Sequence, residues 1–429
     1  MHHSIDLTLH WAGFISLFIF VSAYTLVMAE EFTHLRKSKP VILAAGLIWG
    51  IIAIAYSGTE HYDLVEESIR HSFLEYTELA FFLLVAMTYI AALEERDVFN
   101  SLKSWLIRKN FNFKQLFWIT GVLAFFISPL ADNLTTSLVL CAVVLAVGST
   151  SPKFVSLACI NIVVAANAGG AFSPFGDITT LMVWQAGKLG FFEFFALVVP
   201  SIINYIIPAV IMSFFIESNS PDVSDENIII KDGGKVLILL GILTIATAVS
   251  FHNFLHLPPV FGMMTGLSYL LFYGYFIKQK AKANNDEYDV LENISRIEWD
   301  TLLFFFGVIL SVGGLGLIGY LEVASQLMYT DLGTTNANIL VGILSAIVDN
   351  IPVMFAVLTM DPVMSDSQWL LVTLTAGVGG SMLSIGSAAG VALMGQSKGM
   401  YTFFGHLKWT PVIAIGYFAS VYVHILINF

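Results

Sequence analysis

Charged residues are scarce in this chain. Of its 429 residues only 12% are Asp, Glu, Lys or Arg, while 57% are hydrophobic. A soluble domain of this length carries about twice that charged fraction, so the composition excludes an ordinary soluble protein. Lys and Arg together number 19 and form no basic patch, which excludes a nucleic-acid-binding surface.

Cysteine is nearly absent. Cys141 and Cys159 each lie in an apolar segment, and two such residues form neither a disulfide framework nor a zinc motif. We interpret both as small hydrophobic residues. The first apolar run begins near Leu9, and no basic segment or small-residue cleavage site accompanies it. We therefore expect a retained first helix and not a signal peptide.

Long apolar runs are what the chain has in abundance. A run of about 20 apolar residues crosses a bilayer as a helix, whereas a barrel is built from short alternating strands. Ten predicted spans cover residues 9–29, 40–57, 72–93, 153–187, 190–216, 235–252, 258–277, 299–322, 369–396 and 403–428. The predicted fold is therefore an all-α polytopic membrane protein.

Two further apolar elements, at residues 113–149 and 335–362, are interrupted by an Asp-Asn pair. Each half spans roughly 12–15 apolar residues, which is too short for a full crossing of the bilayer. Non-helical backbone is tolerated at membrane depth only where protein or a cavity surrounds it. We therefore expect each element to be a re-entrant helical hairpin.

The distribution of basic residues is consistent with this layout. Loops on the cytoplasmic side of a membrane collect Lys and Arg. With the spans above, every basic residue except Arg70 and Lys188 falls in loops on one side. This assignment places both termini on the outer side and predicts that residues 100–110 lie on the inner membrane surface.

Three sequence pairs recur in the same order. Residues 75–82 (EYTELAFF) match 298–305 (EWDTLLFF), 128–133 (SPLADN) match 345–350 (SAIVDN), and 168–177 (AGGAFSPFGD) match 378–387 (VGGSMLSIGS). The offsets are 223, 217 and 210 residues. Five predicted crossings separate the starts of the two copies, so the copies have opposite orientations, as in many secondary transporters.

The repeat suggests a division of the chain into four segments. Residues 1–39 form an N-terminal helix and loop, 40–216 the first inverted repeat, 217–234 a cytoplasmic linker, and 235–429 the second inverted repeat. Each repeat is expected to contain one re-entrant hairpin and one unwound transmembrane helix.

Oxygen-bearing side chains cluster at the four predicted helix breaks. The candidate cation- and proton-binding residues are Asp132, Asn133, Asn167, Asp177, Thr179, Thr180, Ser345, Asp349, Asn350, Ser384 and Ser387. No basic residue or histidine lies at a break, and oxygen ligands with carboxylates suit a hard cation. The predicted Na⁺ ligands among them are Asp132, Asn133, Asp177, Asp349 and Asn350.

Competition between Na⁺ and H⁺ for one carboxylate would couple the transport of the two ions. A carboxylate at membrane depth favours its neutral, protonated form because the charged form has lost its hydration. It can then exchange one proton for one Na⁺ without a separate relay. A structural alternative is that each Asp-Asn pair only caps a helix. For the paired glycines at 169–170 and 379–380, the alternative to direct ion contact is that they only allow neighbouring helices to pack closely.

At these motifs the sequence closely resembles the NhaD-type sodium/proton antiporters. The matching stretches are SPLADNLTT, NAGGAFSPFGDITTLMVWQ, SAIVDNIPV and GGSMLSIGSAAGVALMG. The resemblance implies exchange of Na⁺ or Li⁺ for H⁺ across the bacterial inner membrane, with no cofactor. It also implies the ion transporter superfamily fold and a homodimer in the bilayer.

Two competing functions are weighed against the antiporter. A Na⁺-coupled carrier of a carboxylate or oxyanion would have a similar fold. In the dicarboxylate branch of the superfamily that this chain resembles, the hairpin tips carry Ser-Asn-Thr, whereas this chain has Asp-Asn. An intramembrane hydrolase is suggested by the short GxSx pattern at residues 379–382, with His406 or His424 as the base. A short motif of this kind requires its structural context.

Overall fold

The structure is a computed structural model. It describes residues 6–33, 35–109, 111–148, 150–217, 228–281 and 289–429, and this part of the chain contains helices and no strand. Most of the predicted linker, residues 218–227, lies outside the described residues.

The helices of the first half follow the predicted apolar runs. In chain order they are α1 (Trp11–Met28), α2 (Glu30–Thr33), α3 (Ser38–Tyr56), α4 (Tyr62–Glu95), α5 (Val98–Arg108), α6 (Phe113–Ala131), α7 (Asn133–Gly148), α8 (Pro152–Gly170), α9 (Ile178–Gln185) and α10 (Val198–Ser213). A 3₁₀ turn at Glu193–Leu197 leads into α10.

The helices of the second half begin after the linker. They are α11 (Gly234–Leu255), α12 (Pro259–Ala281), α13 (Val290–Ser295), α14 (Trp299–Ile318), α15 (Tyr320–Ser325), α16 (Thr334–Ile347), α17 (Asn350–Met360), α18 (Asp366–Gly379), α19 (Ala388–Gln396), α20 (Phe403–Leu407) and α21 (Thr410–Asn428). A π-helical turn at Gln326–Asp331 follows α15.

Ten of the described helical segments are long and apolar enough to cross a membrane by length and composition. The prediction of a polytopic helical membrane protein is therefore confirmed. The first interrupted element differs from expectation, because α6, with 19 residues, is itself one of these ten segments. Its partner α7 has 16 residues, also more than the predicted half. The second pair, α16 and α17, has 14 and 11 residues. The re-entrant course of both pairs stays a prediction.

The two spans expected to be interrupted do lose their helical structure. Residues 171–177 separate α8 from α9, and this segment contains Pro174 and Gly176. Residues 380–387 separate α18 from α19. Proline lacks an N–H donor, and glycine gains more backbone freedom than any other residue when a helix ends. The local sequence therefore accounts for the breaks.

The α6–α7 junction is made by one residue. Asp132 has φ 52°, in the left-handed region that non-glycine residues rarely adopt, and Asn133 begins α7 directly after it. Pro129 lies inside the last turn of α6, where it removes one helical hydrogen bond. The continuous helix is therefore broken at Asp132.

The chain divides into two compact units. One contains the chain through Leu84, Ile297–Ala337 and Phe355–Val363; the other contains Val85–Arg296, Asn338–Met354 and Met364–Phe429. Each unit draws segments from both predicted repeats. The four-segment division of the sequence stays a prediction.

The first unit has an apolar core where α3 meets α14. Ile48, Trp49 and Ile52 pack there with Leu310 and Leu315. The indole N–H of Trp49 donates to the Leu310 carbonyl over 2.8 Å, so the polar atom of this large side chain is satisfied within the core.

The second unit is organised around α8, which is buried along almost its whole length and packs against α6, α7 and α10. The thiols of Cys141 and Cys159 lie 3.7 Å apart on α7 and α8, fully buried and unbridged. Both cysteines therefore pack as small hydrophobic residues, as predicted.

Candidate functional site

The carboxylate of Asp177 is the centre of a polar cluster in the second unit. Asp177 is 3% exposed and is the N-cap residue of α9. Its Oδ1 accepts the backbone N–H and the hydroxyl of Thr179, each over 2.9 Å. A carboxylate at a helix N-terminus is also stabilised by the helix dipole, so the interrupted helix holds Asp177 in a defined orientation.

Two asparagines reach this carboxylate from separate helices. Asn133, at the start of α7, donates its Nδ2 to Asp177 Oδ2 over 3.0 Å. Asn350, at the start of α17, donates its Nδ2 to Oδ2 over 3.2 Å and to Oδ1 over 3.4 Å. The structure therefore brings both Asp-Asn motifs to one carboxylate.

The cluster extends to the second interrupted helix. The Oδ1 of Asn167 accepts the amide of Asn133 over 3.0 Å, and its Nδ2 donates to Ser387 Oγ over 3.1 Å. Ser387 is the N-cap residue of α19, the same position that Asp177 occupies before α9. One hydrogen-bonded network thus joins Asn133, Asn167, Asp177, Asn350 and Ser387.

Two candidate hydroxyls in this region have no hydrogen-bond partner among the described residues. They are Thr180 Oγ1 and Ser384 Oγ, and both side chains are fully buried. Buried hydroxyls are normally satisfied. These two oxygens therefore keep their hydrogen-bonding capacity unused by the protein.

The other two candidate aspartates occupy a different environment. Asp132 is half-buried, and its carboxylate accepts the N–H of Thr135 over 2.8 Å and its hydroxyl over 2.9 Å, which caps α7. Asp349 is also half-buried, and its Oδ1 accepts the N–H of Ile351 over 3.3 Å. The helix-cap alternative therefore describes the geometry of both residues, although Asp349 also interacts electrostatically with Asp177.

Ser345 makes a packing contact instead of facing Asp177. Its hydroxyl donates to the Ala376 carbonyl over 2.7 Å. Ser128 makes the same bond to the Ala166 carbonyl, also over 2.7 Å. Ser128 is absent from the predicted site residues. It begins the stretch SPLADN just as Ser345 begins SAIVDN, and this match could have predicted that the two serines have the same role. Ser128 thus joins the end of α6 to the last turns of α8, and Ser345 joins the end of α16 to the last turns of α18.

The paired glycines allow the same close approach. A Cβ on Gly169 would collide with the backbone carbonyl of Phe125, and a Cβ on Gly379 would collide with that of Gly342. The close-packing interpretation is therefore confirmed for these two positions.

Acidic and soft ligands do not gather into a metal centre. Within the described ranges, no group of three or more His, Cys, Asp or Glu side chains is arranged to hold a metal ion. The groups that contact the Asp177 carboxylate are instead the amide nitrogens of Asn133 and Asn350 and the N–H and hydroxyl of Thr179.

The hydrolase alternative is not supported by the geometry at residues 379–382. The Ser381 hydroxyl donates to the Val378 carbonyl over 2.6 Å, and His406 contacts the carbonyl oxygen of Ser381, not its hydroxyl. A nucleophilic serine requires its base at the hydroxyl.

Comparisons with known proteins agree on a transporter. A family model described as "Citrate transporter" matches residues 11–377. The "Na(+)/H(+) antiporter NhaD" of Vibrio cholerae is 57% identical over 447 residues, covering 99% of this chain and 94% of the relative. Its namesake from Halomonas elongata is 53% identical, covering 99% and 90%. "Sodium/proton antiporter 1" of Arabidopsis thaliana is 31% identical, covering 96% and 72%.

Proposed function

The chain belongs to the NhaD-type sodium/proton antiporter family, and from this premise we propose that it exchanges Na⁺ or Li⁺ for H⁺ across the bacterial inner membrane at Asp177. The matching family model is described as a citrate transporter, and the relatives are antiporters by name. The chain is therefore a membrane transporter and not an enzyme.

The observation that carries the proposal is the convergence on one buried carboxylate. A buried charge is costly unless it is paired or neutralised, and intramembrane carboxylates mark ion and proton pathways. Asp177 can be neutralised either by a bound cation or by a proton. Because one carboxylate cannot hold both, occupancy by Na⁺ requires release of H⁺, and this competition couples the two fluxes.

Binding of a cation requires the amide groups of Asn133 and Asn350 to rotate. Asn133 and Asn350 direct their NH₂ groups at Asp177, which suits an anionic carboxylate without a cation. Na⁺ is coordinated by oxygen, so each amide turns to present Oδ1 when the ion enters. Thr180 Oγ1 and Ser384 Oγ complete the coordination shell. Asp132 and Asp349 add negative potential to the entry path from their capping positions.

The proposal includes the larger architecture. Two inverted repeats, each with a re-entrant hairpin and an unwound helix, alternate access to the site, and two copies associate as a homodimer with both termini periplasmic. The paired bonds of Ser128 and Ser345 to equivalent carbonyls support the repeat, because they recur at the offsets of the sequence pairs.

The test is proton movement in everted vesicles with an acid interior. We expect NaCl or LiCl to dequench a ΔpH-sensitive dye with the parent chain, and Asp177→Asn to reduce the signal to that of protein-free membranes. The matched control is Asp63→Asn, because Asp63 is exposed in the first turn of α4. Competition further predicts that the apparent KM for Na⁺ rises as pH falls, with an unchanged Vmax. Equal activity of the two variants would contradict the site.

A second candidate is Na⁺-coupled uptake of an organic carboxylate, which the name of the matching family favours. An anionic substrate is best held by Arg or by backbone N–H groups. The four helix breaks contain no Lys or Arg, so the cation exchanger is the preferred proposal. Labelled citrate uptake stimulated by Na⁺ in the same vesicles would reverse this preference.

A further inference from the structure

The second interrupted helix carries a histidine contact that the mechanism above does not use. His406, in α20, is fully buried. Its Nε2 lies 2.9 Å from the backbone carbonyl of Ser381, and its Nδ1 lies 2.7 Å from the hydroxyl of Tyr401. Ser381 is the second residue of the non-helical segment 380–387.

These contacts define the proton positions on the ring. A carbonyl only accepts hydrogen bonds, so Nε2 must carry the hydrogen that is donated to Ser381. In a neutral imidazole the other nitrogen is then an acceptor, so Tyr401 donates its hydroxyl hydrogen to Nδ1. Tyr401 therefore holds His406 in the tautomer that can bond the freed carbonyl.

The contacts continue to the chain that follows α19. The N–H of Tyr401 donates to Ser397 Oγ over 3.1 Å, and Ser397 directly follows α19. On the near side, the Thr410 hydroxyl donates to the Met382 carbonyl over 2.7 Å. The chain after α19 is thus tied back to the carbonyls that begin the non-helical segment. We call Ser397, Tyr401, His406 and Thr410 the carbonyl brace.

The first interrupted helix is held differently. At the offset of 210 residues, Phe191 stands in place of Tyr401 and Ala196 in place of His406. The ring of Phe191 packs against Trp184 at 5.6 Å and Phe175 at 6.1 Å between centroids. Neither Phe nor Ala has a side-chain donor for a carbonyl. At these two positions, an aromatic contact takes the place of the tyrosine–histidine pair.

We propose that His406 is a positioning residue that sets cation affinity by holding the segment that carries Ser384 and Ser387. Ser384 lies three residues after the braced Ser381 carbonyl, and Ser387 bonds Asn167 within the network around Asp177. Only isolated turn bonds replace the helical ladder in this segment, so the side-chain bonds of the brace contribute to the position of the two hydroxyls. The inference rests on the proposed cation site.

The primary test is the apparent KM for Na⁺ and Li⁺ of the full chain in proteoliposomes at one pH. One buried hydrogen bond contributes about 1–1.4 kcal/mol, which corresponds to a change in affinity of about fivefold to tenfold if all of it is transmitted to the cation site. We expect His406→Ala to raise KM by about that factor while Vmax stays within about twofold, and Tyr401→Phe to raise it by a smaller factor. His406→Gln keeps an N–H donor and should restore most of the affinity.

His424 provides the matched control. It is also a buried histidine whose Nε2 contacts a backbone carbonyl, that of Ser367, over 3.0 Å. This carbonyl lies in the first turn of α18, at the end remote from residues 380–387. His424→Ala should leave KM unchanged. An unchanged KM in folded His406→Ala, or an equal rise in His424→Ala, would overturn the proposal. If His406→Ala does not fold, an unchanged KM in Tyr401→Phe overturns it instead.

A second readout separates the brace from the transport proposal. Ser384→Cys, in a chain with Cys141 and Cys159 replaced by Ala, reports the exposure of the segment to a methanethiosulfonate reagent. We expect the added mutation His406→Ala to increase the labelling rate, and the same rate in both backgrounds would overturn the brace. If the parent chain shows no cation-dependent exchange, the proposed function fails, and the labelling result alone decides whether His406 holds the segment.

Discussion

Asp177 and Asp132 are both aspartates at helix N-termini, yet they have different surroundings. Asp177 is buried and accepts bonds from two asparagine amides of other helices. Asp132 is half-buried and bonds to Thr135, three residues further along its own helix. At the residue scale, the first arrangement is suited to binding and the second to capping.

The substitution Asp132→Asn separates these two roles. Asparagine caps a helix about as well as aspartate, so the variant removes the charge and keeps the cap. We expect exchange to be abolished in everted vesicles, because the carboxylate supplies negative potential to the cation path, while the thermal unfolding midpoint stays near that of the parent. Full activity in Asp132→Asn would mean that Asp132 serves only as a cap.

At the scale of elements, the decisive feature is how closely the breaking helices approach their neighbours. Gly169 of α8 lies against the backbone of α6, and Gly379 of α18 lies against the backbone of α16. Small residues permit such approaches between membrane helices. Near these glycines, Ser128 of α6 donates to the Ala166 carbonyl of α8, and Ser345 of α16 donates to the Ala376 carbonyl of α18. Each serine bond therefore joins the end of one helix to an interrupted helix.

Gly379→Ala should therefore destabilise the protein. The new methyl group would meet the Gly342 carbonyl, and backbone atoms cannot turn aside as a side chain can. Overpacking of this kind costs about 1–3 kcal/mol, more than the helix propensity of about 1 kcal/mol that alanine gains over glycine. A lower unfolding midpoint in detergent is the expected result.

Gly46→Ala in α3 is the control for this prediction. A Cβ at Gly46 meets no atom within 4 Å, so only the gain in helix propensity remains and the midpoint should hold or rise. A Gly379→Ala variant as stable as Gly46→Ala would show that α18 can move away from α16.

At the scale of the whole molecule, the orientation of each loop follows from the number of crossings. Arg108 and Lys398 lie in loops assigned to the cytoplasm, and Asp63 lies in a segment assigned to the outer side. All three side chains are exposed. They therefore report the sidedness of three separate parts of the chain.

A membrane-impermeant maleimide tests this topology. We expect Arg108→Cys and Lys398→Cys to be labelled in everted vesicles and Asp63→Cys in intact cells. The native cysteines are fully buried, so the background should be low. Labelling of Arg108→Cys and Lys398→Cys from opposite sides would refute the crossing count and, with it, the opposite orientation of the repeats.

Much of the fold was predictable from the sequence because its signals are local. Apolar runs of sufficient length become helices in a bilayer, and each predicted span contains observed helix. Pro174 and Gly176 mark one interruption, and Gly380 and Gly386 mark the other. The boundaries of α4 and the length of α6 were less predictable, since helices continue through polar ends and through Pro129 where neighbouring helices support them.

The site was predictable as a set of residues and not as an arrangement. Local sequence is sufficient to specify a helical membrane protein with four helix breaks rich in oxygen ligands, because length, hydropathy and helix-breaking residues act over a few neighbours. The packing of the helices brings Asn133 and Asn350 together at Asp177, leaves Asp132 and Asp349 as helix caps, and places His406 at the Ser381 carbonyl. These pairings join residues separated by up to 173 positions, and such contacts depend on how whole helices pack.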